Sequence, residues 1–171
     1  MKKLIYLISP NKVDKSFYKS LNKVLAFKNV KFFQLRLKNK KKYTITRIAK
    51  KIKKITEKYK VKLIINDDPN IVKNSNADGC HIGQKDISIN KAKEILKNKI
   101  IGVTCHGSKT LAKIALQNNV NYLAFGSFHK SKLKPNAKKS KLNILRWAKK
   151  NTKKPIVAIG GIDNLNYKKL L

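Results

Sequence analysis

The chain has 171 residues, enough for one domain around one hydrophobic core and too few for two of ordinary size. Its apolar fraction of 42% and recurrent apolar runs exclude a disordered chain, and no run approaches the ~20 residues that span a bilayer. The formal charge of +34 taken alone points to nucleic acid or an anionic membrane, but the excess is almost wholly lysine along helix-like segments, with arginine only at Arg36, Arg47 and Arg146 and no reading motif, so it describes solvated outer faces that also attract phosphorylated ligands.

In chain order, short apolar runs at Leu4–Ile8, Lys31–Arg36, Lys62–Asn66, Gly79–Ile82, Ile100–Thr104, Tyr122–Gly126 and Ile156–Gly160 read as strands. Amphipathic segments at Lys15–Ala26, Thr44–Tyr59, Asn70–Asn74, Ile89–Leu96, Ser108–Gln117 and Leu142–Lys150 read as the helices between them. This alternation predicts an α/β fold of the TIM-type (β/α) barrel class over residues 1–171, with seven strand–helix units. The eighth unit is expected to be missing, because Leu170 and Leu171 end the chain inside a helical pattern. Unpaired edges on the first and seventh strands then favour aggregation or a homo-oligomer. The segment His129–Ser140 has no apolar period and reads as a loop. Cys80 and Cys105 have no metal-ligand spacing and no secretory leader precedes them, which predicts a soluble protein of the reducing cytoplasm.

Active sites of parallel barrels lie at the C-terminal ends of the strands, so the polar residues there carry the functional reading. After the second strand, alternation sends Gln34, Arg36 and Lys38 to one side, and arginine is the side chain suited to bidentate phosphate binding. The third strand runs into Asn66-Asp67-Asp68-Pro69, where Asp68 fits a helix N-cap and Asp67 has no obvious structural duty. The fourth exits through Gly83 to Asp86. Taken singly, each aspartate reads as a cap or turn residue. Asp67 and Asp86 at neighbouring strand ends read together as a shared site for Mg²⁺, which takes one or two carboxylates beside water and phosphate oxygens. The fifth strand ends in Thr104, His106 and Ser108 at a helix start, and the seventh in Gly160 and Gly161, where backbone N–H groups can approach a phosphate.

The ordered set Gln34-Leu35-Arg36-Leu37-Lys38, Ile65-Asn66-Asp67-Asp68, Ala77-Asp78-Gly79-Cys80-His81-Ile82-Gly83-Gln84-Lys85-Asp86, Ile101-Gly102-Val103-Thr104-Cys105-His106 and Val157-Ala158-Ile159-Gly160-Gly161-Ile162 resembles the thiamine phosphate synthase family across the whole chain. The resemblance implies a transferase that joins hydroxymethylpyrimidine diphosphate to thiazole phosphate. It implies Mg²⁺ on Asp67 and Asp86, pyrimidine diphosphate held by Gln34, Arg36, Lys38 and Asn66, and further substrate contacts from Thr104, His106, Ser131, Lys134, Gly160 and Gly161. Arg36, Lys38 and Lys134 are the implied catalytic cations.

Two departures stand out: Leu133 occupies the place of an expected phosphate-contacting threonine, and the chain stops before the loop after an eighth strand. A related thiazole tautomerase, an isomerase using a histidine at the position of His106, is the nearest alternative. The joint presence of Arg36, Lys38, Asp67, Asp86 and Lys134 favours the synthase, since a tautomerase has no diphosphate leaving group. An inactive remnant or a basic nucleic-acid-binding protein is the alternative from another class.

Overall fold

The computed structural model describes residues 3–130 and 138–170. Its chain falls into two compact units, Met1–His81 with Asp86–Ile100, and Ile82–Lys85 with Ile101–Leu171. In the first, strands β1 (Ile5–Ile8), β2 (Val30–Leu35), β3 (Lys62–Asn66) and β4 (Gly79–Ile82) alternate with helices α1 (Lys15–Leu25), α2 (Lys42–Lys58), α3 (Pro69–Ser75) and α4 (Ile89–Leu96). The second carries β5 (Ile100–His106), α5 (Lys109–Gln117), β6 (Tyr122–Phe125), α6 (Asn143–Asn151), β7 (Ile156–Ala158) and a final 3₁₀ turn, Tyr167–Leu170. Each strand pairs parallel with its neighbour in chain order, β1–β2–β3–β4 in one unit and β5–β6–β7 in the other. The strand–helix alternation and parallel pairing are those of the (β/α)-barrel class read from the sequence. Among the described residues no helix is long and apolar enough to cross a membrane.

The local reasons for these elements are plain in the residues. β3 reads Leu63-Ile64-Ile65, all almost wholly buried, as a parallel strand covered on both faces requires. Each such side chain contributes about 1.5–3 kcal/mol through burial. Helices α1 and α2 turn Leu21 and Leu25, and Ala49 and Ile52, inward and leave their other lysines in water, Lys53 on α2 being nearly buried. Side chains cap four helix starts: Asp14 takes the Phe17 N–H, Asp68 the Asn70 N–H, Ser88 the Lys91 N–H and Ser108 the Leu111 N–H. In the second unit, Gly102 is a packing requirement, since a Cβ there would lie 1.8 Å from the Tyr122 ring.

Several boundaries differ from the sequence reading by one or two residues. β2 ends at Leu35 rather than Arg36, and β7 at Ala158 rather than Gly160, so Arg36, Lys38, Gly160 and Gly161 lie beyond their strands. α2 begins at Lys42, two residues early and with no side-chain cap hydrogen bond. Among the described residues β1 pairs with β2 alone, and Ile5 and Ile8 on it are exposed.

At the end of the sheet opposite the strand exits, Asp78 ties β3 to the start of β4. Its carboxylate accepts the Leu63 N–H at 2.8 Å and pairs with Lys53 at 2.8 Å, both side chains being nearly buried. Burial raises the Asp78 pKa, but Lys53, the Leu63 N–H and Lys62 together hold it below the ordinary carboxylate value. A depressed folded-state pKa gives stability that is complete above pH ~4 and is lost as pH falls through the folded value. Asp78→Ala is expected to lower unfolding free energy by about 2–4 kcal/mol, since it leaves Lys53 and the Leu63 N–H without their partner. Urea unfolding at pH 7 and pH 3 checks this: the deficit should shrink at the lower pH.

Candidate active site

The exit of β2 is held by the segment that follows β1. Ser9, nearly buried, donates its N–H to the Gln34 carbonyl at 2.9 Å, and its hydroxyl accepts the Arg36 N–H at 2.9 Å. Two residues on, Asn11 Oδ1 accepts the Lys38 N–H at 2.7 Å. Gln34 is only 3% exposed, and its amide donates to the Tyr6 hydroxyl at 3.2 Å. Arg36 is half-buried and Lys38 exposed, so the expected Gln34-Arg36-Lys38 series runs from the core out into solvent.

At the exit of β3, Asp67 adopts φ +69°, a left-handed conformation that a non-glycine residue takes only when its surroundings fix it. The Asp67 N–H donates to the His81 carbonyl on β4 at 2.8 Å, which provides that fixing. Its carboxylate pairs with Lys38 Nζ at 2.5 Å, so the residue that looked idle in sequence has a cationic partner 29 positions away. Asp68 takes the N-cap role expected of it and pairs with Lys42 at 2.8 Å. Desolvation raises its pKa, while Lys42 and the Asn70 N–H outweigh this and leave it lowered.

Asp86 stands exposed beyond β4. The Cys80 thiol on β4 is pushed well up first by burial and then by the negative charges of Asp67, Asp68 and Asp86, so all three carboxylates lie within electrostatic reach of one side chain. Among the described residues no three or more His, Cys, Asp and Glu side chains gather into an all-protein metal cage. Asp67 and Asp86 are hard carboxylate donors of the kind that hold Mg²⁺ beside water and phosphate oxygens. The donor chemistry of Asp67 and Asp86 therefore fits that ion.

In the second unit, Thr104 is half-buried on β5, and the Gln84 amide donates to its carbonyl. His106 is exposed, with φ +50°, and Ser108 serves as the α5 cap. Gly160 and Gly161 have φ +96° and +61°, and a Cβ on them would meet Ser127 Oγ at 2.1 Å and the Lys130 carbonyl at 2.2 Å. Both glycines are thus required by the close approach of the segment after β6, which the His129 N–H ties to the Gly160 carbonyl at 3.0 Å. A cleft of about 620 Å³ is lined by the apolar Phe128, Leu142 and Leu170 together with His129, Ser140, Lys139, Lys141 and Lys169, and its His129 is the residue bonded to Gly160. Ser131, Leu133 and Lys134 lie outside the described residues.

Sequence reasoning missed Ser9, Asn11, Tyr6 and Gln84, whose contribution is positional. The turn-like Ser9-Pro10-Asn11 directly after a strand was the available signal.

Three comparisons place the chain among known proteins. Residues 5–171 match the family model described as thiamine monophosphate synthase. A thiamine-phosphate synthase of Pelagibacter ubique is 56% identical over 99% of this chain and 83% of its own length, and one of Clostridium acetobutylicum is 39% identical over 98% and 80%. A solved thiamine phosphate pyrophosphorylase of Pyrococcus furiosus superposes with a TM-score of 0.86 at 28% identity, covering 98% of this chain and 80% of that one.

Ser9→Ala is expected to cost roughly 1–2 kcal/mol, because it strands a partly buried N–H. Hydrogen exchange should show the Arg36 amide losing protection while β3 amides keep theirs. The cysteines give a second check on the site's electrostatics. Burial pushes the Cys105 thiol up to about 12, and Cys80 is pushed up by burial and three carboxylates. Since the thiolate is the reactive form, a disulfide reagent at pH 8 should label neither cysteine in the folded protein and both in urea.

Proposed function

The chain belongs to the thiamine monophosphate synthase family, and on that premise we propose that it condenses hydroxymethylpyrimidine diphosphate with thiazole phosphate, releasing diphosphate and thiamine phosphate. The observation that carries this reading is the pairing of Lys38 with Asp67 at the exits of β2 and β3, with Arg36 held two residues before Lys38 by Ser9. Cations and carboxylates set side by side suit a diphosphate bound together with a divalent ion. The tautomerase alternative receives no such support.

In this reading the bond between the pyrimidine methylene carbon and the diphosphate oxygen breaks, and its electron pair leaves with the diphosphate. The thiazole ring nitrogen then donates its lone pair to that carbon, forming the new C–N bond and leaving a thiazolium cation. Arg36 and Lys38 neutralise the charge that grows on the departing diphosphate, and Gln34 and Asn66 orient the pyrimidine end. Asp67 and Asp86 would hold Mg²⁺, which supplies further charge neutralisation of the diphosphate when bound. The chain's contribution is electrostatic and positional, with no side-chain nucleophile. The thiazole phosphate is assigned to the second unit, where Gly160 is bonded to His129 of a cleft whose lining mixes three lysines with apolar Phe128, Leu142 and Leu170. Thr104, His106, Ser131 and Lys134 complete the proposed substrate contacts.

The test is formation of thiamine phosphate from the two purified substrates with Mg²⁺. Asp86→Ala and Arg36→Ala should each lower kcat/KM by roughly 10²–10³-fold, the usual loss for a group that stabilises developing charge. Asp86→Ala should also raise the Mg²⁺ concentration required. Full activity in either folded variant would overturn the assignment.

A further inference from the structure

We propose that Lys38 is a resident counter-ion for Asp67 which yields its place when a divalent cation binds there and then serves the anionic substrate. The proposal rests on the reading of Asp67 as a cation ligand given above. Its basis is an asymmetry between the two partners. Asp67 is fixed, with a left-handed backbone and its N–H bonded to the His81 carbonyl at 2.8 Å. Lys38 has a fixed main chain, bonded to Asn11 at 2.7 Å, but its side chain is 48% exposed, against 31% for Asp67. A long, solvated side chain on a pinned backbone can swing further than the short side chain of Asp67, whose backbone is also held.

Asp68, next to Asp67, is occupied by Lys42 and by the start of α3, so it is not the carboxylate that Lys38 would turn to on release. Once released, the exposed Lys38 ammonium stands in solvent at the strand exits, where a phosphorylated ligand would be its acceptor. Exposed ion pairs contribute little and are screened by salt, so the resident ammonium holds Asp67 weakly and a doubly charged ion can outcompete it. The exchange keeps the carboxylate neutralised in both states and makes the Lys38 charge available only once the cation is in place. Cation and diphosphate then favour each other's binding beyond their direct contact, and that coupling is reciprocal.

Mn²⁺ binding to the full chain, read by electron paramagnetic resonance of the free ion, tests the exchange without any turnover. Lys38→Met removes the competitor and should bind Mn²⁺ alone about two- to five-fold more tightly than wild type, a gain that shrinks at high salt. The same variant should bind inorganic diphosphate more weakly by calorimetry, with a smaller Mn²⁺-induced gain in diphosphate affinity. Lys38→Arg, which keeps the charge, should stay close to wild type in Mn²⁺ affinity. Equal urea midpoints establish that the variants are folded. If Mn²⁺ binds wild type, is lost in Asp67→Ala, and is unchanged or weaker in Lys38→Met, Lys38 is a brace for the ligand and the exchange is overturned while the site assignment stands. If Asp67→Ala leaves Mn²⁺ binding intact, or wild type binds none, both fall.

Discussion

Asp78 ties β3 to β4 through three groups at once. Its carboxylate accepts the Leu63 N–H, its own N–H returns to the Leu63 carbonyl at 2.9 Å, and Lys53 neutralises the buried charge. From that anchor the register runs Ile64 beside Gly79, Ile65 beside Cys80 and Asn66 beside His81. One residue later the same pairing delivers the Asp67 N–H to the His81 carbonyl. A slip by one residue would turn every side chain of β3 to the other face and carry Asp67 away from Lys38. A charge pair at the closed end of the sheet therefore governs where a carboxylate stands at the working end.

The working end relies on a second device, hydrogen bonds from side chains that have no chemistry of their own. Ser9 and Asn11 take up the Arg36 and Lys38 amides, and Tyr6 takes up the Gln34 amide group. Functional side chains beyond the last ladder bond of a strand have no sheet to orient them, so the neighbouring segment must supply the missing partners. The left-handed backbones of Asp67 and His106, each at a strand exit, show the same economy of position: the residue is turned out of the strand at the point where its side chain leaves the sheet.

How much of this was legible in the sequence depended on range. The strands were legible because Leu63-Ile64-Ile65 and Tyr122-Leu123-Ala124-Phe125 are apolar runs bounded by polar turns. The Asp68 cap was legible because Pro69 follows it. The likeness to a family was legible in motifs placed at strand ends, and the match over residues 5–171 bears it out. What could not be read were facts created by folding: that Asp67 meets Lys38 across 29 positions, that Ser9 clamps Arg36 across 27, and that Gly160 is glycine because Ser127 presses on it. Periodicity reports which face a residue occupies, whereas these contacts depend on which strand lies beside it.

The charge imbalance sharpens the argument about the site. With 42 basic and 8 acidic residues, any carboxylate in this chain is surrounded by potential partners, so a pair has to be weighed together with where its lysine is anchored. Selection must come from the backbone. Lys53 reaches Asp78 from the buried face of α2, and Lys42 reaches Asp68 from the first residue of that helix. Lys38 differs from both in being neither buried nor on a helix, and only Asn11 fixes the base from which it reaches Asp67. Where a helix or a core holds the lysine, the pair is structural. Where a single backbone hydrogen bond holds it and the rest lies in water, the same contact becomes one that a more highly charged ion can take over.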